Sequence, residues 1–305
     1  QRLRPGDEII ITNQDHEANI GAWNRLHADG FVIREWTIDP DTADLRTEDL
    51  EALLSPRTRV VAFTHCSNVV GSMHAVREIT DLVHQARAWA FVDGVAFCPH
   101  GLPDVAALGA DLYCFSLYKV YGPHLGAMVM SRELNEELPN QGHFFNAGLP
   151  GKRFTPAGPD HAQIAAVNGV VDYLEAVAEQ HGVGGKAVAA RAAAVRELFR
   201  SHEIALLQPL LDFLSQHPKV RLIGRASAAE RAPTVAFTVK DRSSAEVASL
   251  LGEQDLGVGV GNFYAYRLLQ ALGIDTDDGA IRTSFVHYTS EEEVARLIEA
   301  LDGML

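Results

Sequence analysis

The stretch Asp111 to Gly126, DLYCFSLYKVYGPHLG, places a lysine where it can react. An apolar strand ends at Ser116, and Lys119 follows in a loop containing Gly122, Pro123 and Gly126. A lysine near a buried strand end is desolvated. That lowers its pKa and makes it a usable amine nucleophile or Schiff-base former. A surface lysine is the bland alternative, but the flanking residues are Phe, Tyr, Val and Tyr, not a solvated charged face. Only five lysines occur (Lys119, Lys152, Lys186, Lys219 and Lys240) against twenty-one arginines, so lysine chemistry is easy to localise. The second feature is Trp89–Asp93, WAFVD, followed by Gly94. A carboxylate closing an apolar strand is costly to bury unless it meets a positive partner. A protonated pyridine nitrogen is one such partner; capping a helix is the competing role. Asp93 and Lys119 are twenty-six residues apart, at the ends of two strands of one sheet, so both can face one pocket.

The elements that must position them follow from two alternating periods. Strands are predicted at Glu8–Thr12, Phe31–Ile38, Arg59–Thr64, Trp89–Asp93, Asp111–Ser116 and Gly126–Ser131. Helices fall between them at Ala18–Ala28, Thr47–Leu54 and Ala75–Ala86. Gly30 stops the first helix, and Thr47 caps the second with Glu48 and Asp49 in its first turn. Strands separated by helix-length segments mean parallel βαβ units and an α/β layer architecture. Ligands of such sheets bind beyond the carboxyl ends of the strands. From about Asp160 the texture changes to long helices at Ala162–Gln180 and Ala187–Gln216, broken near Gly182–Gly185. A smaller α+β block follows, with strands near Val220–Ile223, Thr234–Val239 and Ala280–Phe285. Its helices are expected near Ala245–Gln254, Tyr264–Leu272 and Ser290–Leu301. The expected division is a large domain over residues 1–185, and a connecting helix with a small domain over 186–305. No repeat or low-complexity tract is evident.

The bulk properties narrow the class. A chain of 305 residues with 47% hydrophobic and 22% charged residues can build a substantial core, in two domains or in one with an appendage. The 26 Lys+Arg against 40 Asp+Glu give a net charge of −14, which disfavours nucleic acid or an anionic membrane as partner. Three cysteines, Cys66, Cys98 and Cys114, without CxxC spacing argue against a disulfide scaffold or zinc cluster and for a reducing cytoplasm. No apolar stretch approaches a membrane span, and no signal peptide is visible. His65, His74, His100 and His124 lack HExxH or Cys/His spacing and read as scattered helix and loop residues, so no metal is expected. Gln1 is not an initiator and the first strand begins almost at once, so an upstream segment is expected to be missing.

The pairing of FVDG with FSLYKVYGPHLGA resembles the pyridoxal 5'-phosphate enzymes of fold type I. More narrowly, it resembles the class V aminotransferase family that includes cysteine desulfurases and selenocysteine lyases. The likeness runs over essentially the whole chain. It implies a large domain with a mostly parallel central sheet, a smaller C-terminal α+β domain, and a homodimer with a shared active site. DHEAN resembles the segment that puts a histidine over the cofactor ring, here His16. THCSNVVG resembles THxSNxxG, whose asparagine lies near the phenolic oxygen, here Asn68. By the same resemblance, Asp93 holds the pyridine nitrogen, Lys119 forms the Schiff base, and Ser116 and Tyr118 contact the phosphate. AIRTSFVHYTSEEEV resembles the segment whose arginine grips the substrate carboxylate, here Arg282. The implied activity is that of a desulfurase-like aminotransferase or β-eliminating lyase acting on an amino acid.

Departures from the family pattern accompany the matches. Desulfurases carry a mobile-loop cysteine, but the corresponding GVGVGNFYAYRL, Gly257 to Leu268, has none, and Tyr264 falls near the expected place. All three cysteines precede residue 115, so a persulfide relay is not expected. The Gly257/Gly259/Gly261 run lacks GxGxxG spacing and reads as a turn between a strand and a helix. Ala96 stands where the family often has a Gln or His. Ala157-Gly158 stands where a partner subunit usually offers Gly-Thr to the phosphate, and Phe144, Phe145 and Arg153 are candidate dimer contacts. The family's Gly/Thr phosphate loop lies upstream of the first strand seen here. These departures motivate a competing reading, a catalytically inert relative that keeps the scaffold. A nicotinamide-dependent oxidoreductase fits poorly, because no strand is followed by a glycine fingerprint.

Overall fold

A computed structural model describes residues 3–155 and 158–305. Ala157, one of the residues at the expected partner-phosphate contact, lies outside that range. Two sheets organise the chain. The first contains β1 (Glu8–Thr12), β2 (Val32–Trp36), β3 (Thr58–Thr64), β4 (Trp89–Asp93), β5 (Leu112–Ser116) and β6 (Gly126–Met130), in the order β2-β1-β3-β4-β5-β6. The first five strands run parallel, and β6 returns antiparallel to β5. Strand β1 reads EIIIT and is buried along its whole length, as expected of a strand covered on both faces. Chain order reverses at β1, with β2 on one side and β3 on the other, so the crevice beyond their carboxyl ends is the sheet's switch point.

The second sheet is fully antiparallel, in the order β7-β8-β10-β9: β7 (Val220–Ile223), β8 (Thr234–Val239), β9 (Gly259–Gly261) and β10 (Ala280–Ser284). The helix Val188–Gln216 buries Leu206, Leu207, Leu210, Leu211 and Leu214 against it, a stripe at helical spacing. Helix Glu291–Met304 packs Val294, Leu297 and Leu301 into the same core and begins with a Ser290–Glu293 capping box. The short helix Tyr266–Ala271 instead inserts Leu268 and Leu269 into the core of the first sheet. That packing carries the preceding loop, Asn262–Tyr264, to the switch-point crevice.

Three expectations are corrected. The expected helix Ala18–Ala28 is a chain of short pieces, with one α-turn, Gly21–Asn24, between two 3-10 turns. The first of the two long helical stretches, Ala162–Gln180, is two helices, His161–Ala166 and Asn168–Gln180. The glycine run around Gly259 is not merely a turn: Gly259–Gly261 forms β9 through main-chain bonds to β10. The neighbouring Gly279 must lack a side chain, because a Cβ on it would lie 2.2 Å from the carbonyl carbon of Gly261.

Several histidines serve the core. The ring of His65 stacks on Phe97 at 3.6 Å, and its Nδ1 meets the Tyr113 hydroxyl at 2.8 Å; burial pushes its pKa down to about 3. His74 bonds Gln14 through Nε2 at 2.6 Å, and burial pushes it down to about 4. An unfolded histidine titrates near 6.5, so between pH 6.5 and about 4 the unfolded chain binds protons that these rings refuse. Stability from neutral His74 is therefore lost as pH falls through that window. Between pH 7 and 5 the wild type is expected to lose about 1–2 kcal/mol more than His74→Gln, read from urea unfolding at each pH. Parallel losses in the two proteins would refute this.

Candidate active site

The parallel register brings the carboxyl ends of three strands level. Thr64 of β3 pairs with Asp93 of β4, which pairs with Cys114 of β5. Two residues beyond Cys114 the chain leaves the sheet at Ser116 and enters a 3-10 turn, Leu117–Val120, that carries Lys119. Leu117 and Val120 are its buried anchors, leaving Tyr118 exposed and Lys119 at the cleft. Across the switch point, the loop after β1 supplies His16, and the loop after β3 supplies Asn68. His16, Thr64, Asn68, Asp93, Ser116, Tyr118 and Lys119 line one cleft of about 180 Å³. A larger depression of about 520 Å³ near Arg59 and Arg87 gathers no comparable acid–base set, so chemistry rather than volume selects the smaller cleft.

Asp93 and His16 are held by identifiable bonds. Asp93 accepts the Val95 amide on Oδ1 at 2.8 Å, while its second oxygen takes no bond from the described residues. Burial raises its pKa, opposed by that amide and by the nearby charges of His16 and Lys119. Gly94 follows directly because the Tyr113 ring passes there; a Cβ would lie 2.1 Å from it. His16 accepts the Ala18 amide on Nδ1 at 3.1 Å, which puts the proton of the neutral ring on Nε2. Burial lowers its pKa, Asp93 raises it and Lys119 lowers it. Ser116 makes no capping bond with its hydroxyl, and the Tyr118 ring stacks on His124 at 4.7 Å.

Arg282 lies beside this cleft rather than in its lining. Its Nη1 donates to the Asn68 carbonyl at 2.9 Å, and its guanidinium sits 4.1 Å above the Phe263 ring. The Asn68 amide in turn donates to the Phe263 carbonyl at 2.9 Å, so Asn68, Phe263 and Arg282 form one unit. Burial lowers the Arg282 pKa. Six of the seven residues singled out from the sequence thus line one cleft, and the seventh, Arg282, adjoins it through Asn68. Phe263 and Asp15 are neighbours that the sequence does not single out, and Tyr264, noted only for standing near the expected cysteine position, joins them. Phe263 and Tyr264 both have positive φ, and the Tyr264 ring packs 5.1 Å from His16. Asp15 is buried beneath the site, bonded by the Thr12 hydroxyl at 2.7 Å, with its pKa well above the usual range because of burial. The motif containing Asp15 was visible, but its burial was not. Among the described residues no three His, Cys, Asp or Glu side chains gather as a metal would require.

The model of the family "Aminotransferase class-V" matches residues 1–297, and the chain belongs to that family. It is 38% identical over 312 residues to an aminotransferase-like protein, FGM3, of Gibberella zeae, covering 100% of this chain and 74% of that protein. It is 36% identical over 313 residues to the cysteine desulfurase-like protein ustD of Aspergillus flavus, covering 98% of this chain and 67% of that one. The crystal structure of the cysteine desulfurase CsdA from Escherichia coli superposes with a TM-score of 0.81 at 24% identity, over 99% of this chain and 73% of that one. The fold is therefore that of the type I pyridoxal-phosphate enzymes. Family membership makes this an enzyme of transferase or lyase type with pyridoxal 5'-phosphate as its cofactor.

Proposed function

We propose that this chain acts on an α-amino acid through Lys119, as a desulfurase-like aminotransferase or β-eliminating lyase that works without a sulfur-relay cysteine. The observation that carries the reading is the convergence of Lys119, Asp93 and His16 in one cleft at the switch point of the first sheet. The donor set fits the cofactor. A largely desolvated carboxylate with one uncommitted oxygen suits a protonated ring nitrogen, an unengaged Ser116 hydroxyl suits a phosphate oxygen, and Lys119 supplies the amine.

When bound, the cofactor supplies an electron sink for a carbanion at the substrate Cα. Lys119 would hold it through its side-chain amine, and that amine, once free, would serve as the base that moves a proton at the substrate Cα. Asp93 would favour a proton on the ring nitrogen. His16, fixed by the Ala18 amide, would offer its ring face to the cofactor ring, Asn68 would serve its phenolic oxygen, and Ser116 and Tyr118 would hold its phosphate. The planar fork of Arg282 grips the carboxylate, held in place by Phe263 and Asn68.

The absence of a sulfur relay is supported by Tyr264, which stands next to His16 in the region where desulfurases carry their cysteine. Cys66 and Cys98 are pushed up to about 12 and Cys114 to about 11 by burial, so all three remain thiols. The cofactor-binding part is residues 1–185, and the connecting helix with the small domain is 186–305. Three free cysteines support a cytoplasmic location, and among the described residues no helix is long and apolar enough to cross a membrane. Phe144 and Phe145, 87% and 67% exposed, support a homodimer through that face.

Exchange of the Cα proton of amino acids for solvent deuterium, followed by NMR on the cofactor-loaded protein, tests the proposal. Exchange is expected for at least one α-amino acid. None across the common set would overturn the reading in favour of an inert scaffold.

A further inference from the structure

The turn that carries Lys119 ends at Tyr121, a non-glycine residue with φ of 69°. L-residues pay for that conformation, and it persists where the surroundings fix it. Two main-chain bonds close the turn onto the Leu117 carbonyl, from the amides of Tyr121 and Gly122. The Tyr121 side chain leaves the cofactor cleft and reaches another part of the molecule. Its hydroxyl lies 3.3 Å from Nδ1 of His287, whose Nε2 is hydrogen-bonded to the Tyr173 hydroxyl. The His287 ring stacks on Phe199 at 3.7 Å with planes 4° apart, and Tyr288 meets Tyr121 and His287 edge-on. Four elements therefore meet at one imidazole: the Lys119 turn, helix Asn168–Gln180, helix Val188–Gln216 and the segment leaving β10.

The chemistry of the junction is fixed. His287 is pushed down to about 4 by burial and by His100 and His202, so the ring is neutral. A neutral imidazole has one N–H and one bare nitrogen, so one tyrosine must donate to it and the other must accept. Both phenols are raised by burial and stay protonated, which keeps that relay available. Tyr121 lies two residues beyond Lys119 and His287 five beyond Arg282, yet none of Tyr121, Tyr173 or His287 lines the cleft.

We propose that Tyr121, His287 and Tyr173 form a clamp that sets the Lys119 turn against the strand carrying Arg282, with Tyr121 and His287 as positioning residues. The clamp rests on the assignment of Lys119 and Arg282 to the amine and carboxylate ends of one substrate. It spans both sheets, so it fixes the separation between the two groups in a way that neither sheet does alone.

Tyr121→Phe removes one hydroxyl, and His287→Phe keeps the stack on Phe199 while removing both ring nitrogens. Amide hydrogen exchange by mass spectrometry on the cofactor-free proteins is the first readout. Each variant is expected to speed exchange in peptides spanning 117–122 by about fivefold, the value of one hydrogen bond, with β1 and β3 unchanged. The double variant should match the singles, because either one opens the clamp. In the cofactor-loaded enzymes kcat for Cα-proton exchange should fall about tenfold, with KM within twofold, because alignment rather than binding is lost. Unchanged exchange in 117–122, additive effects in the double variant, or a loss carried by KM would overturn the clamp. An inactive wild type would instead overturn the proposed function, and the cofactor-free measurement would still decide the clamp.

Discussion

Lys119→Ala is expected to lose covalent retention of the cofactor altogether and to slow Cα-proton exchange by about three orders of magnitude, in line with loss of a positioned general base. The side chain is partly exposed at the cleft and its turn is anchored by Leu117 and Val120, so truncation leaves the fold intact and the thermal midpoint within a few degrees. Lys119→Arg sharpens the test. Arginine keeps the positive charge beside Asp93 and His16 but stays protonated, so it neither bonds covalently nor moves the proton. A structural charge would be rescued by Arg; a reacting amine would not. Borohydride reduction of the wild type followed by peptide mapping should place the cofactor label on the peptide bearing Lys119, and both variants should carry none. A label on Lys152, Lys186, Lys219 or Lys240 would reject the assignment.

What sequence could show of this site depended on how each residue reaches it. Asp93 and Lys119 were legible because one closes and the other closely follows an apolar strand of one sheet, and neighbouring parallel strands end together. His16 and Asn68 were legible only through resemblance, since nothing local marks a loop residue as facing a crevice. The bond from Arg282 to the Asn68 carbonyl spans 214 residues, and that from Asn68 to Phe263 spans 195; no periodicity encodes either. Tyr264 arrives over His16 because the helix after it buries Leu268 and Leu269 in the other sheet's core, a packing choice invisible in a short apolar run. The same limit explains the errors in the elements. Strand β9 pairs through backbone alone, so its glycines carry no alternation to read. In the stretch after β1, the His16 cap and a short α-turn flanked by 3-10 turns replace the uniform helix suggested by Ile20 and Trp23.

Asp93→Asn is expected to separate holding the cofactor from using it. Asparagine matches the carboxylate in shape and still accepts the Val95 amide on Oδ1, so the end of β4 keeps its geometry. What disappears is the negative charge that favours a proton on the ring nitrogen. Preorganised electrostatic contacts of this kind are worth about two to three orders of magnitude in rate, and Cα-proton exchange should fall by that much. Covalent attachment depends on Lys119, so borohydride labelling should persist in Asp93→Asn. Stability should hold or rise, because burial already raises the Asp93 pKa and a neutral amide avoids the cost of burying a charge. Asp93→Ala, by contrast, leaves the Val95 amide without its partner and should lower the thermal midpoint as well as the rate. If Asp93 were only a cap for the turn after β4, Asn would preserve the rate and Ala alone would do harm. Loss of exchange in Asp93→Asn at unchanged or higher stability, with the label still on Lys119, assigns the carboxylate to the chemistry and not to the fold.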